Sequence, residues 1–111
     1  MTVNITTHPE FVRQMKRYAK KYRSLACDYA DFLNSIRQDP FQGVDLGGGI
    51  RKVRMAVASK GKGKSGGMRV VTFSLEKIGD DTINVTLLYI YDKNELENVS
   101  DDFIRYLLEK E

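Results

Sequence analysis

The sequence predicts an α+β fold: an N-terminal strand and an α-hairpin packed on a small antiparallel sheet, with a helix closing the chain. Three observations predict it. Apolar residues recur at helical spacing over residues 9–38, alternation with period two takes over between 50 and 91, and a short helical pattern returns after Ser100. With 111 residues, 41% of them hydrophobic and 30% charged, the chain can bury one modest core without disulfides, so residues 1–111 are expected to form a single domain.

Val3 and Ile5 alternate with polar neighbours, as in a short strand. Thr7-His8-Pro9-Glu10 has the form of a capping box with proline at the first helical position, and a helix is expected over about residues 9–22. Phe11, Met15, Tyr18 and Tyr22 would face the core, leaving Arg13, Lys16, Arg17, Lys20 and Lys21 as a solvated face or a nucleic-acid contact. Ser24 can cap a second helix carrying Leu25, Tyr29, Phe32, Leu33 and Ile36, which ends at Asp39-Pro40 because proline disfavours helical geometry in the residue before it. Gly43 and Gly47-Gly48-Gly49 then read as loop.

Over residues 50–58, Val53, Met55 and Val57 fall on one face of a strand, with Lys52 and Arg54 on the other. A loop over 59–67 leads to strands at 68–76 and 82–91, joined by the hairpin signal Gly79-Asp80-Asp81. Ser100-Asp101-Asp102 caps a last helix with Phe103, Ile104, Leu107 and Leu108. There is no internal repeat.

Charge is distributed unevenly. Arg51, Lys52, Arg54, Lys60, Lys62, Lys64 and Arg69 lie between residues 50 and 69 without an acid, whereas residues 80–111 hold nine acids against Lys93, Arg105 and Lys110. A local basic segment on a chain of net charge +3 suits a confined polyanion site, and the acidic C-terminal region is read as a solubilising surface in preference to a site for a basic partner segment. Residues 1–9 lack the basic start and apolar run of a signal peptide, no stretch is apolar enough to span a membrane, and the single Cys27 forms no internal disulfide, so a reduced cytoplasmic setting is expected.

The lysine–glycine loop Ser59-Lys-Gly-Lys-Gly-Lys-Ser-Gly-Gly67 offers exposed amides and positive charge to phosphate, or else serves as a solvated hairpin connection. It is not a nucleotide P-loop: Ala58 stands where the first glycine is required, and a strand follows where a helix should. A hairpin centred near Asp80 places Arg69 about opposite Tyr91, at the same end of the sheet as the loop, with Lys93 just beyond. Tyr91 is then either an RNA contact or a core aromatic in parity with Val85, Leu87 and Tyr89. His8 is the only histidine and sits at a helix start, as a surface or capping residue, which removes histidine-pair chemistry. Asp80-Asp81 and Asp101-Asp102 are explained by turn and helix-start roles, so neither a metal nor another cofactor is expected.

Residues 50–71, Ile-Arg-Lys-Val-Arg-Met-Ala-Val-Ala-Ser-Lys-Gly-Lys-Gly-Lys-Ser-Gly-Gly-Met-Arg-Val-Val, followed by Leu87-Leu-Tyr-Ile-Tyr-Asp-Lys-Asn-Glu95, resemble the core of HigB-like toxins in the RelE superfamily. With the helices on either side, the matching layout spans nearly the whole chain. The resemblance implies a ribosome-dependent endoribonuclease that cuts messenger RNA in the decoding site. It also implies a neutralising antitoxin, HigA-like and carrying a helix-turn-helix domain.

By motif the resemblance assigns Lys52, Arg54, Arg69 and Lys93 to the surroundings of the scissile phosphate, with the loop lysines Lys60, Lys62 and Lys64 as further RNA contacts; Arg51, in the same basic run, is a further RNA-binding candidate. Many members end in a catalytic tyrosine, whereas this chain ends in Leu-Leu-Glu-Lys-Glu, so Tyr91 is the candidate substitute. The expected chemistry is attack of a ribose 2′-hydroxyl on the adjacent phosphate. Arg69 would stabilise the developing charge, and one of Lys52, Lys93 or Tyr91 would move the proton, with neighbouring cations lowering the pKa of that lysine or tyrosine. The competing readings are a ParE-like inhibitor of DNA gyrase and a non-catalytic RNA-binding module.

Overall fold

A computed structural model describes residues 1–60 and 67–110. Its elements are β1 (Thr2–Thr7), α1 (Pro9–Ala19), α2 (Leu25–Gln38), β2 (Val44–Gly47), β3 (Ile50–Met55), a 3₁₀ turn (Ala58–Lys60), β4 (Met68–Lys77), β5 (Thr82–Asp92) and α3 (Asp101–Glu109). The expected α+β order is present, with one strand that the sequence did not reveal. β2 is only four residues long, runs into glycines and is exposed along its whole length, so it reads as loop until it pairs with β3.

The five strands lie in the order β1-β5-β4-β3-β2. β3, β4 and β5 form the expected antiparallel meander, but β1 runs parallel to β5, so the sheet is mixed rather than purely antiparallel. A parallel neighbour needs a long crossover, here the helices and the meander between them, and periodicity alone carries no information about strand direction.

Both faces of the sheet are covered. Phe11, Tyr18, Leu25, Phe32 and Ile36 of α1 and α2 pack on Val53, Met55, Val70, Val85, Leu87 and Ile90. On the other face Ile104 and Leu107 of α3, with Val99, pack on Ile50, Val71, Leu88 and Tyr91. The register between β4 and β5 shifts between Val71 and Thr72, where Val71 pairs with Tyr89 and Thr72 with Leu87. Leu88 is the extra residue. This bulge reverses the side-chain parity of β5, because the alternation of faces restarts beyond it.

Helix ends differ in detail from expectation. The N-cap of α1 is His8 rather than Thr7: its Nδ1 accepts from the Glu10 amide at 3.0 Å, while its Nε2, which must then carry the ring proton, donates to the Leu107 carbonyl at 2.9 Å. His8 is accordingly buried, capping but not at the surface, and it ties the start of α1 to the end of α3. α1 ends at Ala19 instead of continuing to Tyr22. Ser24 occupies the N-cap position of α2, but its hydroxyl makes no capping bond; it donates to Asp28 at 2.6 Å and accepts from the Ser59 amide at 2.9 Å, joining α2 to the 3₁₀ turn.

His8→Ala removes both the cap and the tie to α3, and is expected to lower stability by about 1–2 kcal/mol in urea unfolding. His8→Asn, which keeps a capping acceptor, should recover the α1 part only. Hydrogen exchange should show lost protection at the end of α3 in both variants, but at the start of α1 only in His8→Ala.

Candidate nucleic-acid cleft

The site begins with cross-strand register. Arg54 of β3 lies opposite Arg69 of β4, and Arg69 lies opposite Tyr91 of β5, so the three side chains share one face of the sheet. Lys52 joins them two residues along β3. These four, with Lys93 just past the end of β5, line one cleft of about 160 Å³ together with Val44 and Glu97. It sits on the α3 face, where β3 ends and β4 begins.

Two arginines directly opposite each other repel, an arrangement a sheet avoids unless something else requires it. Arg69 is 5% exposed, and the only hydrogen bond of its side chain among the described residues runs to the Met68 carbonyl at 3.3 Å. Among the described residues neither Arg54 nor Arg69 pairs with a carboxylate. Most of the fixed fork of N–H donors on Arg69 therefore remains available to an anion.

Tyr91 is a core aromatic that also lines the cleft. Its ring is buried against Val99, Ile104 and Leu107, while the residue also lines the cleft. Because of the bulge it faces away from Val85 and Leu87, contrary to the parity expected for a core residue. Its buried hydroxyl has no hydrogen-bond partner among the described residues. Burial pushes the Tyr91 phenol up, and Arg69 pulls the other way without reversing it. The expected lowering by neighbouring cations thus fails for Tyr91, which keeps its proton at neutral pH and offers it as a donor.

The remaining basic candidates are not brought here. Arg51 points to the opposite face of β3, stacks over Phe41 at 4.9 Å and stands 3.9 Å from Asp45. Lys60 is committed to an ion pair with Asp92 at 2.8 Å, the two side chains 6% and 1% exposed, so its ammonium is a structural group rather than a free RNA contact. Lys62 and Lys64 lie outside the described residues.

Asp92 was missed in the sequence, where it is one of many C-terminal acids. Its Oδ2 accepts from Lys60 and from the Tyr22 hydroxyl, and its Oδ1 from the Asn94 amide at 2.9 Å. Its backbone carbonyl accepts from the amides of Glu95 and Leu96, and its amide donates to the Tyr18 hydroxyl at 3.1 Å. Burial alone would raise the Asp92 carboxyl, but the bonds from Lys60 and Tyr22 outweigh it and hold it below the usual range. For Lys60 burial acts downward, and the same partners reverse it to raise the ammonium. Packed behind the sheet on the α1–α2 side, Asp92 sets the turn that delivers Lys93 and Glu97 to the cleft. Glu97 was missed for a similar reason, because an acid in an acidic stretch reads as solvated surface.

No described helix is long and apolar enough to cross a membrane. A family model described as the RelE toxin of the RelE/RelB toxin–antitoxin system matches residues 11–109, the span that contains every cleft residue. With its α+β fold and the match running almost end to end, the chain belongs to the RelE toxin family and is a toxin whose partner is an antitoxin protein.

Proposed function

We propose that this toxin is a ribosome-dependent endoribonuclease that cuts messenger RNA in the cytoplasm, acts as a single domain of HigB-like type, and is neutralised by a HigA-like antitoxin carrying a helix-turn-helix domain. The observation that carries the proposal is the gathering of Lys52, Arg54, Arg69 and Lys93 in one cleft with Tyr91, whose buried hydroxyl has no partner among the described residues. Four cations and a hydroxyl donor supply what a phosphate gaining charge in the transition state requires. A gyrase inhibitor or a passive RNA-binding module would not need two facing arginines, one of them buried.

In the reaction, a ribose 2′-hydroxyl attacks the adjacent phosphorus, and a cyclic phosphate and a 5′-hydroxyl are left. Arg54 and Arg69 hold the non-bridging oxygens, Tyr91 donates to one of them, and Lys52 and Lys93 lie along the flanking backbone. Strand-borne side chains suit this work because the sheet fixes their spacing before RNA arrives.

The test is induced expression of the toxin alone, with messenger RNA ends mapped on isolated ribosomes. The expected result is growth arrest with new 5′-hydroxyl ends inside translated codons, both abolished by co-expressed antitoxin. Arrest with intact messages and broken or relaxed DNA would support the gyrase reading instead.

A further inference from the structure

The cleft contains many proton donors and one residue that can only accept. Lysine and arginine side chains in their charged forms donate, and Tyr91 is held in its protonated form by burial. Attack by a 2′-hydroxyl needs the opposite, a group within reach that takes the proton as the oxygen bonds to phosphorus. Asp92, the nearest acid in sequence to the end of β5, faces the other way into Lys60 and Tyr22. Asp28 and Asp31 line a separate depression on the α2 side of Arg54, and Asp28 is already bonded to Ser24 and the Ala58 amide.

Glu97 is the carboxylate that lines the cleft with Lys52, Arg54, Arg69, Tyr91 and Lys93. It also borders, with Lys52 and Lys93, an adjoining open depression of about 570 Å³, so it stands at the junction of the two. Among the described residues it forms no ion pair. An acid in this position opposes phosphate binding by its charge, a cost that a purely binding surface would not carry.

We infer that Glu97 is the general base of the cleavage reaction, taking the proton from the attacking 2′-hydroxyl of the RNA; this rests on the nuclease reading above. As the 2′-oxygen bonds to phosphorus its proton passes to the Glu97 carboxylate. The bond from phosphorus to the 5′-oxygen breaks, and that oxygen takes a proton from the ammonium of Lys52 or Lys93. A 2′,3′-cyclic phosphate and a 5′-hydroxyl result, and both proton carriers reset through water.

Single-turnover cleavage of messenger RNA on ribosomes tests the assignment with Glu97→Gln and Glu97→Asp. Glu97→Gln should slow cleavage by about 10²–10⁴-fold, and Glu97→Asp should restore part of the rate. Binding to ribosomes programmed with a message carrying a 2′-deoxynucleotide at the cut site should be unchanged or tighter in Glu97→Gln, since one negative charge is gone. Cleavage by Glu97→Gln within threefold of wild type overturns the assignment, and so does a loss of binding as large as the loss of rate. If the wild type itself cuts no message, the nuclease reading falls and the assignment falls with it.

Discussion

Arg69→Ala is expected to reduce messenger RNA cleavage by about 10²–10³-fold and to abolish growth arrest, the size of effect seen when one aimed donor is removed from a charge-stabilising site. The expectation rests on the place of Arg69 at the centre of the constellation, opposite Arg54 on one side and Tyr91 on the other. Arg69→Lys separates charge from geometry. A lysine keeps the charge but lacks the planar fork that spans two phosphate oxygens, so it should recover only a small part of the rate. Circular dichroism and thermal unfolding must show both variants folded. Removing Arg69 also relieves its repulsion with Arg54, so stability should fall little or even rise while activity is lost, the trade expected of a functional residue. Normal cleavage by folded Arg69→Ala would contradict the role given to it.

The second large effect belongs to stability. Asp92→Asn leaves the Lys60 ammonium buried without its counter-charge, and breaking a buried pair from one side costs about 3–5 kcal/mol, a large part of the 5–15 kcal/mol that holds a domain together. Lys60→Met combined with Asp92→Asn removes both charges and should return much of the loss, because the penalty lies in the unpaired charge and not in the absent bridge.

The pH dependence has a definite sign. The folded Asp92 carboxyl lies below its unfolded value of about 4, so its stabilisation is fully present above that value and is lost as pH falls through the folded one. Lys60 is raised, so its contribution is present below its unfolded value and is lost as pH rises through the folded one. Denaturation midpoints of the wild type should therefore drop at the acid end, and Asp92→Asn should show a shallower drop. Glu10 and Glu95 retain their own part of the acid dependence, since hydrogen bonds from Arg13, and from Arg17 and Lys21, also hold them low.

These two variants probe opposite faces of one sheet end. Arg69 faces the cleft, whereas Asp92 faces the helices and fixes the turn carrying Lys93 and Glu97. Asp92→Asn should consequently reduce cleavage even in the fraction that remains folded, and the rate per folded molecule measures how far that turn depends on the buried pair.

The sequence by itself determined the α+β class, the two-helix hairpin, the three-stranded meander and the terminal helix, because those features rest on local periodicity and on local stops such as Asp39-Pro40 and Gly79-Asp80-Asp81. Counting outward from the turn, where Lys77 pairs with Thr82, would bring Arg69 opposite Ile90; the extra residue Leu88 moves it to the expected partner Tyr91, so that pairing depends on a bulge the sequence did not show. Only the tertiary structure decided what depends on contacts between distant segments. The parallel alignment of β1, the existence of β2 and the bulge that turns Tyr91 toward α3 have no local signature. Lys60 looked like its neighbours in the lysine loop until Asp92, thirty-two positions away, was found to bury it. Glu97 looked like solvated acid until the turn after β5 carried it to the cleft. Charge type is written in the residue, but whether that charge is paired, buried or left free for a ligand is set by what the fold brings beside it.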